Sequence, residues 1–327
     1  MNTAYTPYES LKLWHDKNLV THQTNTDELH LFHEKVMQSS LEITLETMRS
    51  DYGSPPCAFS WFSMGSSGRC EQAAKSDQDH GIIFEETSPT TQVYFLELGK
   101  RLGAGLNYIG YPYCDGSVMS SNPLWCQSKQ EWKEQIKKWI EEDSWESIRY
   151  LLIFFDARVV VGIQKSIQDL KEIIFQSIKE HPYLLGRLME NTMYYKKSLG
   201  IFNQFLTESY GPYAGCINLK HTAFFPYVNS IRLLAIKEKL PETSTLKRIT
   251  ALSQKPEYNQ LLTGYQANYI KLLQFRLDNG KKMDYQDVHY LDVKKLNQQE
   301  KQEFKRILAD GRKIQLFAES IVKKAVK

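Results

Sequence analysis

The stretch that most limits how this chain folds is Met64-Gly65-Ser66-Ser67-Gly68-Arg69-Cys70-Glu71-Gln72, followed closely by Ser76-Asp77-Gln78-Asp79-His80-Gly81-Ile82-Ile83-Phe84. It sets a turn of small residues after one apolar run, Cys57–Met64, and two carboxylates at the mouth of another, Gly81–Phe84. Both runs are bounded by turn formers or charge and predict buried strands. Side chains two apart on an extended segment point the same way, so Asp77 and Asp79 are expected to face one pocket. Two acids held close repel each other unless a cation lies between them. Mg²⁺ takes carboxylate and phosphate oxygens together, and the Gly-Ser turn offers backbone N–H groups to a phosphate. The combination points to nucleotide chemistry.

At 327 residues the chain has length for two domains. Its formal net charge of +3 leaves no nucleic-acid footprint. The basic pairs Lys196-Lys197, Lys281-Lys282 and Lys323-Lys324 read as solvated faces. No apolar run reaches bilayer length, and the polar, acid-bearing start does not read as a signal peptide. Cys57, Cys70, Cys114, Cys126 and Cys216 stand singly, without a CxxC pair. That usage predicts reduced thiols in a cytoplasm, not a disulfide frame or a zinc site. The expectation is a cytoplasmic protein without nucleic-acid or membrane partners.

Asp27–Arg49 predicts a helix capped by Thr26 or Asn25, with Leu29, Phe32, Val36, Leu41 and Leu45 on one side. Gly65–Lys75 reads as a turn into a short helix, Gln92–Leu106 as a helix, and Gly110–Trp125 as a loop. Gln130–Glu141 has Trp132, Ile136 and Trp139 at helical spacing. In Tyr150–Val161 the first half is continuously apolar and reads as a central strand. After Gly162 helical periodicity covers Ile167–Lys179, Tyr183–Glu208, Phe224–Lys239, Tyr258–Asn279 and Asn297–Lys324. The predicted fold class is α+β. A small mixed β-sheet with flanking helices, including an N-terminal helix, occupies residues 1–163, and an all-α helical bundle occupies 164–327.

Metal-dependent nucleotidyl transfer needs carboxylates for one or two ions and a cradle for phosphates. Asp77 and Asp79 supply two acids. Asp156 is the candidate third, because it follows the apolar run Leu151–Phe155, where a charge is costly unless used. The plain alternative for Asp77 and Asp79 is a turn before a strand, and for Asp156 an ion pair with Arg158.

The order of an apolar residue, Gly65-Ser66, a spacer and Asp77-Gln78-Asp79 resembles the signature of the DNA-polymerase-β-like nucleotidyltransferase superfamily. The fuller string, with Ser76-Asp77-Gln78-Asp79-His80-Gly81, resembles a narrower group. Its members are often fused to CBS and cyclic-nucleotide-binding modules in bacterial signalling proteins, and they are related to the PII-protein uridylyltransferases. Gly110-Tyr111-Pro112-Tyr113-Cys114-Asp115-Gly116-Ser117-Val118-Met119-Ser120-Ser121-Asn122-Pro123-Leu124-Trp125, Phe155-Asp156-Ala157-Arg158 and Asn218-Leu219-Lys220-His221 fit the same group. The resemblance implies a small mixed sheet followed by a helical bundle, Mg²⁺ (or Mn²⁺) as cofactor, and a nucleoside triphosphate as co-substrate. It implies transfer of AMP or UMP to a hydroxyl of a protein or small molecule, in signalling. It also supports Asp156, in an Asp-x-Arg, over Asp115 as third acid. Gln78 departs from the superfamily's usual apolar residue, and no CBS or cyclic-nucleotide module is present. A non-catalytic nucleotide sensor and an antitoxin-like nucleotidyltransferase are the competing readings.

Further candidates follow. Gly65, Ser66, Ser67 and Arg69 are expected to hold phosphates; the alternatives are helix caps for the serines and a surface ion pair with Glu71 or a nearby acid for Arg69. Asp115, Ser117 and Asn122 lie in a loop suited to a lid or acceptor contact. Lys220 and Arg232 are candidate cleft contacts from the helical part. His80 is expected to be packed or hydrogen-bonded, His22, His30 and His33 to lie at the surface, and Trp132, Trp139 and Trp145 to be core.

Overall fold

The computed structural model describes residues 6–194, 196–280 and 285–326, so the pair Lys281-Lys282 lies outside the described residues. The chain divides into two compact units, Met1–Glu142 with Tyr150–Ile174, and Asp143–Arg149 with Phe175–Lys327.

The first unit begins with α1 (Pro7–Asn18) and α2 (Thr26–Tyr52). Of the two expected caps for α2, Asn25 serves, its side chain accepting from the Glu28 N–H at 2.9 Å. Then come β1 (Phe59–Ser63), the single turn α3 (Gly65–Gly68), β2 (His80–Phe84), α4 (Pro89–Ile109), β3 (Cys126–Ser128) and α5 (Lys129–Glu142). α6 (Trp145–Phe155), β4 (Arg158–Val161) and α7 (Gln164–Glu180) follow, the start of α6 and the end of α7 belonging to the second unit. The sheet is mixed, in the order β3-β2-β1-β4. β1 is antiparallel to both neighbours and β2 is parallel to β3. Ser63, the last residue of β1, lies opposite His80 on one side and Arg158 on the other. The segments just before β2 and just before β4 therefore flank the residues that follow β1.

Trp61 and Phe62 of β1 are fully buried. Phe62 meets Trp132 edge-on at 5.7 Å, and the Trp132 indole N–H donates to Ile82 O at 3.0 Å, anchoring α5 to the middle of β2. Trp139 is buried in the same aromatic cluster. Trp145, expected in the core, is instead 61% exposed.

Residues 150–155, expected as a central strand, are helical, and the strand is the shorter Arg158–Val161. Ile148, Leu151, Leu152 and Phe155 are buried at spacings of three and four, as on one helix face. Ser144 starts the helix, its Oγ accepting from the Ser147 N–H at 3.0 Å. A continuous apolar run hides its period, so the cap was the distinguishing signal.

The second unit contains α8 (Tyr183–Thr192), β5 (Cys216–Asn218), α9 (Phe225–Lys237), α10 (Thr245–Ser253), α11 (Pro256–Gly280), β6 (Tyr290–Asp292) and α12 (Gln298–Ala325). α9 packs against α8, α10 and α12 and is buried nearly all round, so it forms the centre of this helical unit. The helix expected over Tyr183–Glu208 stops at Thr192. Beyond it Leu199 and Phe205 bridge across a turn at Gly200–Asn203, where Asn203 adopts a φ of +58°. β5 and β6 form an antiparallel ladder among the helices that periodicity did not announce. Among the described residues, no helix is long and apolar enough to cross a membrane.

Candidate functional site

The site grows from the end of β1. The Met64 N–H donates to Asp79 O at 2.8 Å, continuing the β1–β2 ladder one residue past the strand. Gly65 then turns the chain at a φ of +54°, a conformation costly for any residue with a Cβ. A Cβ there would also lie 2.1 Å from Asp79 Oδ2. The Asp79 carboxylate therefore rests directly against the Gly65 backbone. Three residues on, a Cβ at Gly68 would lie 2.1 Å from Asp156 O and 2.9 Å from Ser63 O. The small-residue turn is thus wedged between the Asp79 side chain and the Asp156 main chain, which approach from the two strands beside β1.

A loop lies beside the acid pair. Gln78 bridges Tyr113 in parallel register, the Gln78 N–H donating to Pro112 O at 3.2 Å. Two residues later the His80 N–H donates to Val118 O at 3.1 Å. Cys114 sits between these anchors and accepts at its carbonyl from the Ser117 N–H at 3.0 Å. One carboxylate oxygen each of Asp77 and Asp79, and the Cys114 sulfur, all lie within 4.8 Å of one another. All three residues are partly exposed, and they form the only such trio among the described residues. Burial, then the neighbouring Asp79 and Asp77 carboxylates, push the Cys114 thiol up to about 12. Two acids and a sulfur at this spacing fit a divalent cation.

Asp156 is not in that trio. It is 1% exposed, and its Oδ2 accepts from Arg69 Nη1 at 2.7 Å. Arg69 Nε donates to Glu71 Oε2 at 2.9 Å, so one guanidinium joins both acids beside the turn. Arg158, the partner considered for Asp156, goes instead to Glu34 at 2.8 Å, and Glu34 also meets His30 at 2.9 Å.

The other candidates are distributed as follows. Ser66 Oγ meets Ser76 Oγ at 3.1 Å, on the partly exposed side of the turn. The buried Ser67 hydroxyl turns inward to Met37 Sδ at 3.5 Å. Asp115 and Ser117 are exposed, and Ser117 holds a φ of +53° in the loop turn. Asn122 is engaged structurally, donating to Ser117 O and accepting from the Leu124 N–H, both at 3.0 Å. Lys220 and Arg232 belong to the second unit. Lys220 is exposed, whereas Arg232 is buried and donates to Asn229 Oδ1 at 3.2 Å.

His80 is buried as expected. Its Nε2 lies 2.9 Å from Gln78 Oε1 and its Nδ1 2.9 Å from Ser120 Oγ. Gln78 gives its amide hydrogens to Gly103 O and Tyr111 O, at 3.1 and 3.0 Å. Its oxygen must therefore accept from His80 Nε2–H, which fixes the neutral tautomer. His33, expected at the surface, is fully buried between Tyr111 and Ala73 O. It lies on the inner face of α2, while His30 pairs with Glu34 one turn on.

Cys114 is the site residue that sequence reasoning passed over. A single cysteine without a CxxC partner reads as a free thiol. The available signal was its place inside a loop rich in Gly, Ser, Asn and Pro and suited to a lid or acceptor contact.

A family model described as Putative nucleotidyltransferase DUF294 matches residues 16–146, which include Gly65, Asp77, Asp79 and Cys114. A second, described as Putative nucleotidyltransferase substrate binding domain, matches residues 182–322. Asp156 lies between the two matched stretches. No curated protein matches the chain.

Proposed function

Because this chain belongs to the DUF294 family of nucleotidyltransferases and carries that family's substrate binding domain, we propose that it moves a nucleoside monophosphate, AMP or UMP, from a nucleoside triphosphate to a hydroxyl of a protein or small molecule. The observation that carries this reading is the Asp79 carboxylate seated against Gly65, with Asp77 and Cys114 within 4.8 Å. Asp77 and Asp79 would hold the cation, Mg²⁺ or Mn²⁺. When bound, it would neutralise phosphate charge and lower the pKa of the attacking hydroxyl.

The chain's own groups do the rest. The first-turn amides at Gly65 and Ser66 lack acceptors within the helical turn and receive phosphate oxygens. Arg69 moves from Asp156 to a phosphate, trading one charge-assisted bond for another. That exchange leaves Asp156 as the acid that accepts the hydroxyl proton. The hydroxyl oxygen forms its bond to the α-phosphorus, the bond from that phosphorus to the oxygen bridging to the β-phosphate breaks, and pyrophosphate leaves with the electron pair. The second unit selects the acceptor, and we place the enzyme in signalling.

A sensor that binds nucleotide without turnover is the second reading. It is favoured by the buried ion pair that already engages Asp156.

α-Labelled ATP, UTP, CTP and GTP, each with Mg²⁺ or Mn²⁺ and cell extract, test the reading. Label should pass from ATP or UTP to an acceptor. Asp77→Asn and Gly65→Ala should each lower the rate by at least about 100-fold, the scale of removing a group that acts in the transition state. Binding without pyrophosphate release selects the sensor. Transfer that survives Asp77→Asn refutes the assigned site.

A further inference from the structure

We propose that Cys114 is a third ligand to the cation held by Asp77 and Asp79, and that its sulfur turns the site toward the later first-row ions, Co²⁺ to Zn²⁺, and away from Mg²⁺. This rests on the nucleotidyltransferase reading and goes beyond it by naming a donor and an ion class.

The geometry comes first. Atoms bound to one ion at roughly 2.0–2.3 Å lie roughly 3–4 Å apart. The three donor atoms stand within 4.8 Å, so a change of side-chain torsion brings them to that spacing. The placement of the sulfur comes next. Cys114 is tied to the acid segment by the Gln78–Tyr113 bridge before it and the His80–Val118 hydrogen bond after it. The loop and the two acids therefore move as one body.

Donor chemistry decides the ion. Mg²⁺ requires oxygen ligands in near-ideal octahedral array. Sulfur is soft and favours the later divalent ions. The adjacent Asp115 would supply a hard oxygen, but it is exposed and outside the trio. The demand for a cation has a separate origin: the family match implies a triphosphate substrate, and the phosphates of such a substrate are bound with divalent metal. On metal binding the sulfur–metal bond forms and the thiol proton passes to solvent.

Cobalt makes the sulfur visible. The full chain is titrated with Co²⁺ and followed by absorption and calorimetry. Wild type should develop a sulfur-to-cobalt charge-transfer band in the near ultraviolet. Cys114→Ser should retain Co²⁺ binding but lose the band, and Asp77→Asn should lose both. Zn²⁺ affinity should fall about tenfold in Cys114→Ser, with Mg²⁺ affinity unchanged, as softness predicts. Co²⁺ binding without a band in wild type overturns the inference on the unaltered protein, whatever the variant's folding, and so does a band that survives Cys114→Ser. Both results leave the transferase reading standing. Failure of every divalent ion to bind, in the presence or absence of triphosphate, overturns the inference and the reading together.

Discussion

His33 and His80 are fully buried, and each is hydrogen-bonded at both ring nitrogens. Burial holds each imidazole down at about 3, against an ordinary value of 6.5. Between those values the unfolded chain binds more protons than the folded one. Their contribution to stability is therefore complete above pH 6.5 and lost as pH falls toward 3, by about 2 kcal/mol per histidine at pH 5. His30 has the opposite slope: burial lowers it, but bonds to Cys70 and Glu34 outweigh burial and lift it to about 9. Urea unfolding at pH 7.5 and 5.0 should give lower stability in acid, and His80→Asn should reduce the loss by about 2 kcal/mol. Equal pH dependence in wild type and variant would contradict this.

The same residues mark what local sequence conveys. Gly65, Asp77 and Asp79 were legible because the turn and the acids lie within one short stretch. The closeness of Cys114 to the acids depends on a bridge to a distant loop, and the Arg69–Asp156 pair on the meeting of two strand neighbours. Neither leaves a local pattern.

Among the elements, the strongly periodic helices α2, α4, α5 and α12 could be read directly, with ends fixed by Asn25, Ser88, Gly110 and Asn297. α6 could not, because six consecutive apolar or aromatic residues satisfy a buried strand and a buried helix alike. Inside its apolar cluster α5 meets the sheet through the Trp132 N–H on Ile82 O, and at its rim Gln135 accepts from Gln127 of β3. Trp132→Phe removes that donor and leaves a buried carbonyl with one bond fewer. A loss of about 1–3 kcal/mol is expected, read as a lower denaturant midpoint at unchanged m-value. A midpoint equal to wild type would mean that this hydrogen bond does not stabilise the seating of the helix.

For the whole molecule, the first unit is not one continuous length of chain. It closes only with Tyr150–Ile174, after a short excursion into the second unit at Asp143–Arg149. A fragment ending at residue 174 should melt cooperatively by circular dichroism. One ending at 146 should not, because it lacks β4 and leaves a long side of β1 unpaired. Cooperative melting of the shorter fragment would contradict this. The sequence changes texture near Gly162, but composition cannot register a chain that leaves a unit and returns. The order of assembly on the ribosome follows from the register of Ser63 with both His80 and Arg158. At about 5–20 residues per second of synthesis, the second partner emerges on the order of ten seconds after the first. Throughout that wait the nascent Phe59–Ser63 segment presents tryptophan and phenylalanine along an open edge, the kind of surface holding chaperones bind.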